Sequence, residues 1–389
     1  MRLATLQIAS VLGDVQRNIK KADELLSNAR LKSAGELGEG VRVEDAKLDI
    51  LVLPELIFTG YNFPSLAAIK PYLEPAGKGP SADWARSTAK RLRCKACVGY
   101  PEIETDEQGN EKYYNALLVV DEEGSVLLNY RKSFLYYTDE TWASEGRAEL
   151  GFHQLTFPKE SPSRARAQGE AAILPPPPGS SSTEKEKIGK EIATSFGICM
   201  DINPYKFEAP YSAYEFAHRV LDSKSQLVIL SMAWLTLLSR EEVDALSGGP
   251  ALETFNYWVQ RFMPLLQKQM RHDVNADSDG DSDADGEKNI ILVFANRAGE
   301  EDGGAPPTSL ARYAGTSTII AVSQKPKPSP AQATSTGNQA GDSSDEEQPP
   351  PFDVKILCWD MLGAREEGLC FADTGADPKM VFQLARRAI

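Results

Sequence analysis

At 389 residues and 41% hydrophobic content the chain can hold one large α/β domain or two ordinary ones with an ample core, so disorder of the whole is excluded. Its net charge of −14, from 42 Lys and Arg against 56 Asp and Glu, argues against nucleic acid or an anionic membrane as partner, because both demand clustered cations. Five cysteines without regular spacing make no disulfide framework and suit a reducing compartment, and no apolar run reaches the roughly 20 residues that span a bilayer.

Met1-Arg-Leu-Ala-Thr-Leu-Gln-Ile-Ala9 runs directly into strand-like sequence with one basic residue, so neither a signal nor a transit peptide is expected, and cytoplasm or nucleus is the default location. The pattern then predicts strands at Arg2–Ala9, Leu48–Leu53, Ala96–Tyr100, Tyr113–Val120, Ser125–Tyr130, Ile192–Ile198, Leu227–Ser231, Ile290–Asn296 and Ser317–Val322. Most are rich in Val, Ile and Leu, as strands buried on both faces should be. Asp14 can cap a helix whose residues Val15, Ile19, Ala22, Leu26 and Ala29 share one face. Further helices are predicted at Ala82–Leu92, Ala213–Leu221 and Leu252–Gln269, the last broken at Pro264. Tyr113–Tyr130 reads as a hairpin turning at Glu122-Glu123-Gly124. Alternating strands and helices plus one hairpin indicate an α/β sandwich with mixed sheets.

Three segments do not fit that pattern. Ser161–Lys187 carries Pro175–Pro178, Asp273–Glu287 is almost wholly Asp, Ser, Gly and Ala, and Lys325–Pro351 is rich in Pro, Ser, Thr, Gln and acid. Such compositions bury too little apolar area to offset chain entropy, so all three are expected to be disordered insertions in one domain spanning 1–389. Asp281-Ser-Asp283-Ala-Asp285-Gly286 imitates the first half of a calcium loop, but the twelfth position is Leu292 where a bidentate Glu is needed. It reads as a solvated charge run. Ser343 and Ser344, followed by Asp345-Glu346-Glu347, could accept phosphate, and that sequence alone decides nothing.

Cys199 ends the strand-like run Ile192–Ile198 and precedes Asp201, Asn203 and a Pro-Tyr turn, which would expose it at a strand tip. It can be a core thiol or a nucleophile. The three histidines, His153, His218 and His272, fall at no predicted strand end, which counts against a Cys–His pair. Glu55 ends the run Leu48–Pro54, and Lys132 follows Tyr130-Arg131 at the end of the hairpin. A base, a cation and a thiol would then stand at three strand ends, where open α/β sheets build sites. Cys94-Lys-Ala-Cys97 has half of a zinc or redox spacing with no second pair and reads as structural, as do Cys358 and Cys370. Trp258 and Arg261 read as packing and a helix-surface ion pair.

The order Pro54-Glu55, Tyr130-Arg-Lys132 and Gly197-Ile-Cys199-Met-Asp201 resembles the Glu–Lys–Cys signature of the nitrilase (carbon–nitrogen hydrolase) superfamily over nearly all of the chain outside the insertions. Ala96-Cys-Val-Gly99-Tyr-Pro-Glu102 and Tyr114-Asn115-Ala-Leu are similar to that family's central strands. The resemblance implies a four-layer α-β-β-α sandwich, a covalent Cys199 thioester with no cofactor or metal, Glu55 as base, and Lys132 with the Met200 backbone N–H at the oxyanion. It also implies that Glu140, eight residues past Lys132, orients the lysine. Met200-Asp201 departs from the Trp-Glu of nitrile-cleaving members. The strings Pro54–Phe63 and Cys199–Phe207, with Ser231-Met-Ala233-Trp234, Leu362-Gly363 and Glu366-Glu367-Gly368, look most like the fungal branch that deamidates protein N-termini bearing Asn or Gln, in the N-degron pathway. That substrate class requires a reader for a free α-ammonium, for which Tyr61, Asn62, Asp139 and Asp201 are the candidates by proximity. A small-molecule ω-amidase or aliphatic amidase and a silent binding member are the rival expectations. Monomer and homodimer both stay open.

Overall fold

The computed structural model describes residues 1–31, 38, 40–157, 189–270, 286–303, 309–327 and 352–383. Insertion 161–187 lies outside them, as do residues 273–285 and 328–351 of the other two expected insertions, with the calcium-like loop up to Asp285 and the serine pair at 343–344. Two expected boundaries need correction. Lys325 and Pro326 belong to a strand, pairing with Asp353 and Phe352, and Glu287 accepts a hydrogen bond from Ser323. Composition marks where apolar sequence stops, whereas ladder pairing carries a strand several residues further.

One sheet contains β1 (Arg2–Gln7), β4 (Ile50–Val52), β5 (Glu74–Pro75), β6 (Lys95–Thr105), β7 (Glu111–Val120), β8 (Val126–Arg131) and β17 (Gly368–Asp373), in the order β17-β1-β4-β6-β7-β8 with β5 on β6. The other contains β9 (Phe152–Phe157), β10 (Lys190–Ile198), β11 (Leu227–Ser231), β12 (Lys288–Ala295), β15 (Thr318–Pro326), β16 (Phe352–Met361) and β18 (Met380–Gln383), in the order β18-β16-β15-β12-β11-β10-β9. Two ribbons, β2 (Arg30–Leu31) with β3 (Val41–Arg42) and β13 (Glu300–Asp302) with β14 (Leu310–Arg312), stand apart. The helices in chain order are α1 (Val15–Asn28), α2 (Leu66–Ile69), α3 (Pro80–Leu92), α4 (Tyr137–Glu140), α5 (Glu215–Asp222), α6 (Arg240–Ala245), α7 (Leu252–Arg261) and α8 (Met263–Gln267). Both sheets are mixed, with β1, β4 and β6 parallel in the first and β10, β11 and β12 parallel in the second.

Alternation along the strands explains the layers. Leu3, Ile50, Val52, Leu117 and Val119 point inward and share one core with Phe196, Ile229 and Val293 of the other sheet. Their neighbours Ala4, Leu6, Leu51, Leu53 and Val98 point outward onto Ala22, Leu26, Ala82 and Ala89 of α1 and α3. On the far side Phe294 stacks on Trp258 of α7 with centroids 5.0 Å apart, and Phe216 of α5 packs over Gly197. The result is an α-β-β-α sandwich. Asp14 caps α1 by accepting from Arg17 N, and the predicted long helix divides into α7 and α8, with Pro264 in the first turn of the second. Among the described residues no helix is long and apolar enough to cross a membrane.

Gly99 lets the first sheet approach the loop that follows β4. A Cβ there would sit 2.7 Å from Glu55 Cα and 2.8 Å from both Leu56 N and Pro54 O, all of them backbone atoms that cannot swing away. We expect Gly99→Ala to destabilise the fold by about 2 kcal/mol through overpacking and to lower activity more than stability, because Glu55 is displaced first. A thermal melt run beside an activity assay checks this, and wild-type values in both would contradict it.

Candidate active site

Five strand ends meet at one end of the sandwich. Glu55 follows β4, Lys132 follows β8, Cys199 follows β10, Ala233 follows β11, and Asn296 follows β12. Glu55, Lys132 and Asp139 have no exposed surface, and Cys199 is 9% exposed. The sequence-based expectation of an exposed cysteine is therefore corrected: the turn after β10 folds Cys199 under the neighbouring loops, and only its edge reaches solvent. Cys199 adopts φ +40°, a left-handed conformation unusual for a residue with a side chain, where β10 gives way to the 3-10 turn Cys199–Ile202.

Lys132 Nζ lies 2.6 Å from Glu55 Oε1 and 2.6 Å from Asp139 Oδ2. Asn115, on β7, bridges the same two carboxylates, its Nδ2 donating at 2.7 Å to Glu55 Oε1 and at 2.9 Å to Asp139 Oδ1. Ala233 N donates to Glu55 Oε2 at 2.8 Å, and Tyr61 OH to Asp139 Oδ2 at 3.2 Å. Every oxygen of Glu55 and Asp139 thus has a donor, as buried carboxylates require.

The electrostatics follow from this arrangement. Burial pushes the Glu55 carboxyl above its ordinary value, with Lys132 opposing and Asp139 adding to the rise. Burial works against the Lys132 charge, yet Asp139 and Glu55 override it and hold the ammonium protonated. Burial, then Glu55, pushes the Cys199 thiol well above its usual range, against the pull of Lys132. The resting site is therefore a neutral thiol beside a carboxyl of raised basicity and a fixed cation.

The structure moves several sequence-based assignments. Glu140 is exposed, and Asp139 takes the place expected of it on Lys132. The reason is local: Asp139 Oδ2 also accepts from Tyr136 N, which precedes α4, so this capping bond turns residue 139 inward and residue 140 about 100° around the helix toward water. Asp201 and Asn62 face the interior, the former taking donors from Tyr130, Ser133, Phe134 and Ile198 and the latter held by Glu301. With both oxygens of its carboxylate taken, Asp201 is not free to read an α-ammonium. Arg261 makes the expected ion pair, Nη2 lying 3.8 Å from Glu215 Oε2, but from a buried position, 1% exposed; its Nε donates to Ile202 O at 2.8 Å, and it stacks on Tyr211 and Tyr214. Asn115 and Ala233 carry no sign of their roles in the sequence, since a backbone N–H and a cross-strand amide leave no signature in residue type.

The other cysteines stay apart from this site. Cys97 belongs to the inter-sheet core and Cys94 to the outer one, where burial pushes the Cys94 thiol up to about 12. His153 lies within β9 opposite Thr194. Among the described residues no group of three or more His, Cys, Asp or Glu is placed to hold a metal ion. Aromatic side chains gather beyond Lys132 and after the Cys199 turn: the Tyr136 ring lies 5.0 Å from that of Tyr137 and 6.3 Å from that of the exposed Phe207, and Phe134 packs on Tyr205.

Comparison with known proteins gives three kinds of match. Residues 2–163 match the family model described as carbon-nitrogen hydrolase, a range that includes Glu55 and Lys132 and stops before Cys199. The chain is similar to the protein N-terminal amidase of Saccharomyces cerevisiae, 33% identical over 253 residues, which is 65% of this chain and 49% of that protein. It therefore spans about half the length of that curated relative. To the protein N-terminal amidase of Schizosaccharomyces pombe it is 28% identical over 338 residues, covering 83% of this chain and 92% of that one. Among solved structures, the fold matches an N-terminal amidase crystallised with an Asn-Glu-Ala peptide, at a TM-score of 0.63 and 22% identity, over 99% of each chain.

Proposed function

We propose that this chain, whose residues 2–163 match the carbon-nitrogen hydrolase family model, is a member of that family that hydrolyses the side-chain amide of Asn or Gln at the N-terminus of a peptide or protein, releasing ammonia through a thioester on Cys199. The carrying observation is the buried Glu55–Lys132–Asp139 group set against a neutral thiol at the mouth. Two relatives similar over 253 and 338 residues are protein N-terminal amidases, which supports the choice of substrate class. Residues 1–389 act as one catalytic domain. All five cysteines are unpaired, which supports a reducing compartment, cytoplasm or nucleus, as its place of work.

The chemistry proceeds in two halves. Glu55 accepts the thiol proton as Cys199 Sγ attacks the carboxamide carbon, and the C=O electron pair moves onto oxygen. The Lys132 ammonium and the Met200 N–H stabilise that oxyanion; one such donor contributes roughly 3 kcal/mol to lowering a barrier of this kind. The intermediate collapses, the C–N bond breaks, and Glu55 returns its proton to the departing nitrogen, which leaves as ammonia. Water, deprotonated by Glu55, then attacks the thioester carbonyl. The C–S bond breaks, the thiolate recovers its proton, and Asp or Glu remains at the N-terminus. Asp139 and Asn115 keep Lys132 and Glu55 in register throughout, and residue two onward of the substrate would leave past the exposed side chains Tyr137 and Phe207.

A denaturing mass spectrum of enzyme quenched during turnover tests the covalent step. The expected result is a peptide minus ammonia attached to the tryptic fragment that carries Cys199, absent in Cys199→Ala. Turnover with no adduct on that fragment, under quenching that preserves thioesters, would reject the thioester route.

The raised Glu55 carboxyl fixes a pH dependence. Protonated Glu55 cannot take the thiol proton, so kcat/KM falls on the acid side as pH drops through the raised value, with a midpoint above the usual carboxylate value of 4.5. A pH profile with an Asn-initiated peptide measures it. An acid limb at or below 4.5 would contradict burial as the dominant influence on Glu55.

A further inference from the structure

Asp201 lies two residues past the nucleophile, is completely buried, and has no part in the reaction as written above. Its carboxylate nevertheless accepts five hydrogen bonds. Oδ1 takes Ser133 N at 3.0 Å, Ser133 Oγ at 2.8 Å and Phe134 N at 2.8 Å, while Oδ2 takes Tyr130 OH at 2.8 Å and Ile198 N at 2.8 Å. The donors are not scattered. Tyr130, Ser133 and Phe134 bracket Lys132 on both sides, and Ile198 immediately precedes Cys199.

The two halves of the site come from different sheets, Lys132 from the end of β8 and Cys199 from the end of β10. We propose that Asp201 is the positioning residue that joins them, fixing the Lys132 ammonium and the Cys199 thiol in one frame by binding the backbone beside each. The left-handed φ of Cys199 supports this, since a side-chain-bearing residue keeps such a conformation only where its surroundings impose it. A turn free to relax would carry the sulfur away from the lysine.

The donor set also explains why the residue is a carboxylate. Three of the five donors are backbone N–H groups, which cannot reverse their role, and they are divided between the two oxygens. An Asn in either orientation would aim its NH2 at one or more of them. Glu would push the same acceptor one methylene further into a filled space. Asp201 touches neither substrate nor a reacting atom, so its effect passes through Lys132 and Cys199, and the proposal rests on the roles given to those two above.

The test uses the full-length chain as Asp201→Asn, with Tyr130→Phe and Ser133→Ala as variants that each delete a hydroxyl donor and keep the carboxylate. Two quantities are read on folded protein: kcat and KM for an Asn-initiated peptide, and the pH dependence of iodoacetamide labelling at Cys199, located by peptide mass mapping. For Asp201→Asn we expect kcat to fall about 100-fold with KM within about threefold, and the Cys199 labelling curve to move to higher pH as the ammonium recedes from the sulfur. Tyr130→Phe and Ser133→Ala should show the same signature at about three- to tenfold in kcat. A residue that only stabilises the fold would leave both readouts of the folded fraction unmoved.

If Asp201→Asn does not fold, the two donor variants decide alone. Unchanged kcat and a superposable labelling curve in the folded variants would overturn the proposal. Labelling needs no substrate, so a wild type inactive on Asn-peptides, with a labelling curve that still shifts in the variants, would reject the assigned reaction and keep Asp201 as the positioning residue.

Discussion

Replacing Cys199 by alanine should abolish turnover, with kcat for an Asn-initiated peptide falling by about 10⁴-fold or more, since the covalent route has no other nucleophile. Glu55 remains to activate water in that variant, but water lacks the fixed placement that the turn gives the sulfur. The fold should be untouched. Cys199 is nearly buried yet small, and its left-handed backbone is no worse for alanine than for cysteine. Cys199→Ser is the sharper control, because it puts a hydroxyl of far higher pKa at the same atom. Glu55 cannot draw that proton away efficiently, and about 10³-fold loss is expected. Activity assays with circular dichroism on both variants check this, and ammonia release at more than a few per cent of wild type from Cys199→Ala would remove Cys199 as nucleophile.

The second large effect separates two adjacent carboxylates. Asp139→Asn should lower kcat about 10²- to 10³-fold, whereas Glu140→Gln should stay within about twofold of wild type. Asp139 is one of two anions holding Lys132, and its loss leaves the ammonium paired to Glu55 alone. The base is then weakened as well as the cation misplaced: the negative charge of Asp139 helps to raise the Glu55 carboxyl, so removing it lowers that value. The acid limb of the rate profile should accordingly move to lower pH in Asp139→Asn even as the plateau drops. Glu140 faces solvent and touches neither. Equal losses in the two variants, or a larger loss in Glu140→Gln, would contradict this assignment.

Much of the architecture was legible because it rests on short-range pattern. Leu227–Ser231 was predicted to the residue, since a run buried on both faces needs only its composition to be recognised. Pro264 broke the long helix as its ring requires. What escaped was decided by distant partners. β17 was not predicted as a strand of the first sheet, because it forms only through pairing with β1, Arg2 opposite Asp373. β9 mixes exposed and buried positions and gains its order from β10.

The site shows the same division. Glu55, Lys132 and Cys199 could be listed from their places at predicted strand ends, because residue type and position together mark chemistry. The choice between Asp139 and Glu140 could not be made that way: it turns on one capping bond at Tyr136 N. Asp201 looked like a reader of charge because a carboxylate beside a nucleophile usually faces the substrate, whereas here five donors from the end of β10 and from the end of β8 and the loop after it face it instead. The burial of Arg261 beneath its ion pair with Glu215 escaped for a related reason, since helix spacing does not reveal that Ile202 O accepts from its guanidinium.

The claim that this buried group serves a protein N-terminus is tested most directly by ammonia release across a panel: peptides beginning with Asn and Gln, the same peptides N-acetylated, free glutamine, and a short aliphatic amide. We expect kcat/KM for the free-terminus Asn and Gln peptides at least about 100-fold above every other compound, the difference that follows when a buried polar partner is lost or unmatched. Equal or faster release from free glutamine or the aliphatic amide would contradict it and make the chain a small-molecule amidase of the same fold.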